Sequence, residues 1–254
     1  MRRAGAISGA AHLRAMRATH PGMYEYQVEA ELMHEFLREG ALAVAYGSIV
    51  ASGPNACVLH YRENNRQLAD GDLLLIDAGC EFQGYASDIT RTFPVSGRFT
   101  GPQKAVYEVV LAAQLACIDA VRPGAAFHDY HHVAERVLAQ GFIDLGLLAD
   151  TLDEALESGS YKRFYMHRAG HWLGMDVHDA GLYQVHRESM RLAPGMVLTV
   201  EPGAYIRPAD DVPEAFWNIG VRIEDDVLVT HDGVLNLTAT TPKSVADVEA
   251  AVAA

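Results

Sequence analysis

The chain has 254 residues, 50% of them apolar, which is material for one large domain or two small ones with an ample core. Its formal net charge of -13 excludes the basic stripe of a nucleic-acid-binding surface. Cys57, Cys80 and Cys117 are odd in number, widely spaced and without a CxxC pair, which argues against a zinc knuckle or a disulfide framework and points to a reducing, cytoplasmic setting.

In chain order, Met1–Thr19 is Ala- and Arg-rich with helical spacing, and His20-Pro21-Gly22 breaks it. No apolar run reaches the ~18–20 residues of a membrane span, and the opening reads as helix rather than signal peptide. A chain that begins inside a helix is expected to have lost something upstream. Tyr26–Glu39 is a second helix with Val28, Leu32, Phe36 and Leu37 on one face and Gly40 as its stop. Leu42–Val50 alternates and enters a loop at Ser52–Asn55. Leu73–Ile76 is an apolar strand ending in Asp77, and Tyr85–Val95 is a strand rich in Thr and aromatic residues. Thr100 caps a helix running to Val121, before Pro123-Gly124. A helix over about His128–Gln140 and a short one over Asp153–Ser158 follow. Gly195–Glu201 and Gly220–Thr230 are strands, and Ser244 opens a last short helix. The order of two helices then strands occurs twice, which predicts two similar α+β halves with a concave seam between them.

Four acids sit at strands or strand ends: Asp77, Asp88, Glu201 and Glu224. With the turn-like Glu81-Phe82-Gln83-Gly84 as a hairpin loop, Asp77 and Asp88 are expected directly opposite one another, about 4.5–5.5 Å apart at Cβ. Like charges there destabilise the sheet unless a cation lies between them. Glu201 ends a buried apolar strand, an unusual place for an unpartnered acid. On the next strand Arg222 and Glu224 share a face, so Arg222 is placed to hold a carboxylate. Each feature alone also fits a surface aspartate or a surface salt bridge. Asp225 and Asp226 are expected to be solvent-facing or structural.

Of the twelve histidines, His131 and His132 are expected on an exposed helix face, and His20, His186 and His231 in loops. The informative set is His167, His171 and His178, within the glycine-containing stretch Met166–Asp179, which is expected to be extended. His60 stands alone before a polar loop.

These residues fall in motifs: Leu75-Ile76-Asp77-Ala78-Gly79, Ser87-Asp88-Ile89-Thr90-Arg91-Thr92-Phe93, His171-Trp172-Leu173-Gly174-Met175-Asp176-Val177-His178-Asp179, Thr199-Val200-Glu201-Pro202-Gly203 and Arg222-Ile223-Glu224-Asp225-Asp226. Together they resemble the catalytic domain of the aminopeptidase P and prolidase family, over essentially the whole chain. The resemblance implies the pita-bread fold, an α+β architecture of two pseudo-symmetric halves with the site between them. It implies that Asp77, Asp88, His171, Glu201 and Glu224 bind two divalent metal ions, with Asp88 and Glu224 bridging. Manganese is the family's usual metal, with cobalt or zinc in some members, and an oxygen-rich donor set with one imidazole suits Mn²⁺. His60, His167, His178 and Arg222 match its outer and substrate-handling positions. Arg168 and Gly170 depart from the bacterial pattern, which usually has Gly and often Ser there, and Arg168 is expected near the pocket mouth.

The resemblance further implies residues 1–254 as the catalytic domain without the family's N-terminal domain, and a dimer or tetramer for the full-length protein. The expected substrate is a peptide with proline second, and no nucleic acid or membrane is an expected partner. The expected reaction is hydrolysis of the N-terminal Xaa-Pro bond by a metal-activated hydroxide, with Glu201 also handling the proton. A prolidase restricted to Xaa-Pro dipeptides, a methionine aminopeptidase and a catalytically silent binding module of the same fold are the alternatives.

Overall fold

The computed structural model describes residues 1–254. Six helices flank thirteen short strands. The first half contains α1 (Arg2–Ala18), α2 (Glu25–Arg38), β1 (Ala43–Val44), β2 (Ile49–Ser52), β3 (Leu73–Asp77), β4 (Cys80–Phe82), β5 (Tyr85–Ala86) and β6 (Thr90–Pro94). The second contains α3 (Gly101–Ala120), α4 (Asp129–Asp144), α5 (Leu152–Ser158), β7 (Gln184–Val185), β8 (Glu188–Ser189), β9 (Val197–Val200), β10 (Gly203–Ile206), β11 (Ile219–Arg222), β12 (Asp225–Val229) and β13 (Val234–Asn236). The C-terminal helix α6 is Val245–Val252.

The helices start where the capping residues say they should. Thr100 Oγ1 accepts the Gln103 N–H while the Gln103 side chain returns to the Thr100 N–H, and Thr151 with Glu154 does the same for α5. Ser244 caps α6 through the Asp247 N–H. One continuous core runs from Ala4 on α1 to Ala251 on α6, so the two halves fold around shared apolar packing.

Each half is organised around one long antiparallel hairpin. In the first, β3 pairs with β6 so that Leu73 faces Pro94 and Asp77 faces Thr90, and β4 pairs with β5 beyond it. In the second, β9 pairs with β12 and β10 with β11. Both hairpins are interrupted on both strands: at Ala78-Gly79 and Ser87–Ile89 in the first, at Glu201-Pro202 and Ile223-Glu224 in the second. The sequence reading of unbroken strands over Tyr85–Val95 and Gly220–Thr230 is thus corrected. The halves meet where β6 lies against β11. There the Thr92 hydroxyl donates to the Arg222 carbonyl at 3.1 Å and accepts its N–H at 3.2 Å, and the Glu224 N–H donates to the Thr90 carbonyl at 3.1 Å. No helix is long and apolar enough to cross a membrane.

Candidate metal centre

The strand interruptions are where the acids sit. Asp88 lies in the returning-strand break of the first hairpin and Glu224 in that of the second, while Asp77 and Glu201 mark the opposite strands of each hairpin. The expectation that Asp77 and Asp88 stand directly opposite is corrected: Asp77 faces Thr90. The reason is the turn. Gln83 and Gly84 both have positive φ (53° and 80°) and form a two-residue loop between Phe82 and Tyr85, one residue later than the loop assumed from sequence. The pairing moves by two residues, so side-chain parity is kept and Asp88 still shares a face with Thr90. The directly opposed pair is in the other half: Val200 faces Asp225 and Gly203 faces Arg222, so the same register sets Glu201 opposite Glu224.

His171 reaches the site from an extended edge segment alongside β9, as expected for Met166–Asp179. Its carbonyl accepts the Thr199 N–H at 2.9 Å and its own N–H donates to Thr199 Oγ1 at 3.0 Å. Gly170 permits this approach, since a Cβ there would lie 2.0 Å from the Thr199 carbonyl oxygen. The His171 Nδ1–H donates to the Trp172 carbonyl at 2.9 Å, which aims Nε2 inward, 3.4 Å from Asp88 Oδ2 and 3.5 Å from Glu201 Oε1. Donor atoms of Asp88, His171 and Glu224 all lie within 4.8 Å of one another. Asp77 and Glu201 line the same cavity, of about 410 Å³, with Arg222, His60, His167 and His178.

Electrostatics set this cluster apart from a surface acid patch. Burial, followed by repulsion from the neighbouring carboxylates, pushes Glu224 well above the usual carboxylate range. Burial likewise drives Glu201 up to about 7, against the opposing pull of His171 and Arg222. Asp88 is raised mainly by burial. For His171 burial works downward, but Asp88 and Glu201 outweigh it and lift the imidazole to about 9. A set of hard oxygen donors with one inward imidazole lone pair, crowded until its members would rather hold protons, fits a divalent cation well.

A ring of side chains fixes the five. Arg222 Nη2 donates to Asp77 Oδ2 at 2.6 Å, its Nη1 to Tyr205 Oη at 2.9 Å and its Nε to Thr90 Oγ1 at 3.2 Å. Thr90 in turn donates to Glu224 Oε2 at 2.6 Å. Tyr205 hydrogen-bonds His167 Nε2 at 2.8 Å while His167 Nδ1 binds the Arg168 carbonyl at 2.8 Å. Both His167 nitrogens are therefore committed, and burial together with the Arg222 charge holds the ring down at about 3, so it is neutral. The Tyr46 hydroxyl lies 2.6 Å from Asp77 Oδ1 and 2.5 Å from Asp88 Oδ1. His178 stacks edge-on against His171, ring centroids 4.4 Å apart, while His60 stands exposed at the rim.

Sequence reasoning missed Tyr46 and Tyr205 and the part played by Thr90. Tyr205 carried a signal: it follows Glu201 and Gly203 at the period of two that shares a strand face. Tyr46 carried none in its own neighbourhood. His131, expected to be exposed, is half-buried, with Nδ1 accepting the Ala169 N–H at 3.3 Å. Asp225 and Asp226 are structural and buried: Asp225 pairs with Arg91 and Lys243, and Asp226 Oδ2 accepts the Asp88 N–H at 3.1 Å.

Comparison with known proteins agrees with this geometry. Residues 1–231 match metallopeptidase family M24. The chain is 51% identical over 249 residues to the Xaa-Pro aminopeptidase of Haemophilus influenzae, covering 98% of this chain and 58% of that protein. It is 48% identical over 254 residues to the Xaa-Pro aminopeptidase of Escherichia coli, covering 100% of this chain and 57% of that one. The solved structure of Pseudomonas aeruginosa aminopeptidase PepP superposes with a TM-score of 0.98 at 55% identity, over 100% of this chain and 57% of the other. The chain thus spans somewhat over half the length of these relatives. The likeness bears out the α+β pita-bread fold, and with it the chain belongs to metallopeptidase family M24.

Proposed function

We propose that this chain carries the catalytic centre of a peptidase that removes the first residue from peptides with proline in second position. The observation that carries the reading is the convergence of Asp77, Asp88, His171, Glu201 and Glu224 on one cavity, in a chain about half identical to Xaa-Pro aminopeptidases. Those five residues would hold two divalent ions, Mn²⁺ first among them and Co²⁺ or Zn²⁺ as substitutes. When bound, the ions supply positive charge that acidifies water and polarises a carbonyl.

The protein's own groups do the rest. Glu201, whose Oε1 lies 3.5 Å from His171 Nε2, takes the proton from the attacking water and passes it to the leaving proline nitrogen. His178, beside His171, donates to the carbonyl oxygen as it gains charge. His60 contacts substrate at the rim. Arg222 anchors Asp77, and His167 acts through Tyr205 as a positioning residue. The proline nitrogen carries no N–H, so the cleft needs no acceptor for it.

Residues 1–254 are read as one catalytic domain, supported by the continuous core from α1 to α6. A cytoplasmic setting is supported by three buried, unpaired cysteines, and a homodimer or homotetramer by exposed apolar side chains such as Leu42 and Leu182. The test is to strip the metal, add back Mn²⁺ and follow release of the first residue from an Xaa-Pro-Yaa peptide, with Asp88→Ala alongside. Activity restored in the native chain and absent in Asp88→Ala is expected. Activity that survives in Asp88→Ala sinks the two-metal reading. A dipeptide cleaved while the tripeptide is spared moves the assignment to prolidase.

A further inference from the structure

The cavity holds three arginines in different situations. Arg222 is buried and paired with Asp77 at 2.6 Å. Arg62 and Arg168 are exposed, line the same cavity from opposite segments of the chain, and pair with no carboxylate. Arg62 follows His60 and lies back over Gly47, where a Cβ would meet its Nη1 at 2.6 Å. Arg168 sits between His167 and the ligand segment. Its guanidinium lies 5.8 Å from the centroid of Tyr183, itself a cavity residue, and its carbonyl is tied to His167. Its guanidinium N–H groups meet no protein acceptor.

These two cations face the cavity that also gathers Asp77, Asp88, Glu201 and Glu224, in a chain whose net charge is -13. That bulk charge repels an anionic ligand, so local guanidinium groups are the means by which one would be retained. From the scissile bond, an extended chain advances about 3.3–3.6 Å per residue, so residues after proline lie progressively further from the acid cluster.

We propose that Arg62 and Arg168 form a carboxylate subsite on the leaving-group side of the cavity. It recognises either the free C-terminus of a tripeptide or tetrapeptide, or an acidic side chain just after the proline of a longer one. The subsite rests on the peptidase reading for its location, and it makes the centre selective for short or acidic peptides. An exposed, charge-assisted contact of this kind changes kcat/KM by about 3- to 10-fold.

The experiment compares Ala-Pro-Leu with Ala-Pro-Leu-amide, and Ala-Pro-Glu-Leu-amide with Ala-Pro-Gln-Leu-amide, on Mn²⁺-loaded native protein, Arg168→Gln and Arg62→Gln/Arg168→Gln. The native protein is expected to favour the first of at least one pair by about 3- to 10-fold, less so at high salt, with the preference gone in the double variant and the neutral peptides cleaved at the native rate. Preference within the first pair alone assigns the C-terminus as the source, and within the second alone the side chain. Equal rates within both pairs, or a preference that persists in the double variant, overturn the subsite. Titration calorimetry with Pro-Leu and Pro-Leu-amide needs no turnover and separates this question from the peptidase assignment. If none of these peptides is cleaved, the peptidase reading fails. The subsite then stands only if Pro-Leu binds more tightly than its amide in the native protein and equally in the double variant. A carboxylate that binds the metals instead keeps its advantage in both.

Discussion

Removing the Arg91 guanidinium should cost more than any surface change in this chain. Arg91 is fully buried and spends all five of its N–H groups. Nε donates to the Pro242 carbonyl at 2.8 Å, Nη1 to the Thr90 and Glu224 carbonyls at 2.9 and 2.5 Å, and Nη2 to Asp225 Oδ1 and the Thr241 carbonyl at 2.7 and 3.1 Å. Arg91→Met fills the volume and takes these donors from four carbonyls, of which that of Thr90 keeps the Glu224 N–H. At about 1 kcal/mol or more for each buried acceptor left short, the loss is about 3–5 kcal/mol. Breaking a buried ion pair gives the same range independently, although Lys243 still neutralises Asp225. For a chain of this size, at about 2 °C per kcal/mol, that is a fall of roughly 6–10 °C in Tm. Arg91→Lys keeps the charge with three donors in place of the planar fork, and should recover less than half of the loss. Urea unfolding of the three proteins at neutral pH measures this. A loss under about 1 kcal/mol for Arg91→Met, or full recovery by lysine, refutes the reasoning, since either means that the carbonyls find other partners.

Glu25 makes a second test: its carboxylate collects the Ser52 N–H and hydroxyl, Asn55, the Tyr61 hydroxyl and the Arg66 N–H, pinning both ends of the segment that carries His60. Glu25→Gln should cost about 2–3 kcal/mol in urea unfolding and raise KM more than it lowers kcat. Gly170→Ala drives a Cβ into the Thr199 carbonyl, so Mn²⁺ affinity measured by calorimetry should fall at least tenfold through displacement of His171, whereas Gly22→Ala, whose glycine has nothing within 4 Å but a φ of 92°, should touch stability alone. His12 is buried, with its pKa pushed down to about 4 by that burial. The unfolded chain therefore takes up this proton at higher pH than the native one, so the contribution of His12 is complete above about 6.5 and drains away as pH falls to about 4. It amounts to about 3 kcal/mol, and His12→Gln should flatten the stability–pH curve across that window.

The parts of the fold legible in the sequence were those governed by local rules. Thr100 with Gln103 and Ser244 with Asp247 announce their helices because capping is a contact between near neighbours. The four acids were visible because a charge ending an apolar strand is costly without a partner. Their pairing was not: it depends on whether the loop is centred before or after Gln83, and Gln83 adopting φ of 53° ahead of Gly84 is a choice that composition does not dictate. The face survived the error because side-chain parity repeats every two residues. Tyr46 was illegible for another reason. Its hydroxyl meets Asp77 and Asp88 from a segment 31 and 42 residues away, and nothing beside it in the chain hints at a carboxylate. His131 was misjudged because its helical surroundings are polar, while the Ala169 N–H it accepts comes from a segment 38 residues further on.

The boundary between the halves has a mechanical consequence. Where β6 meets β11, threonine hydroxyls, one main-chain hydrogen bond and the Arg91 guanidinium do the joining, rather than a continuous ladder. Asp77 and Asp88 belong to one side of that boundary and His171, Glu201 and Glu224 to the other. On the proposed ligand assignment, a cation gripped by both groups would be a rivet across a shear plane. Its grip adds to the resistance of the whole chain to unfolding by about 2.7 kcal/mol when the free ion is at a hundredfold excess over its Kd. Chelation should accordingly loosen the boundary before the shared apolar core, with hydrogen exchange rising first at the Glu224 amide.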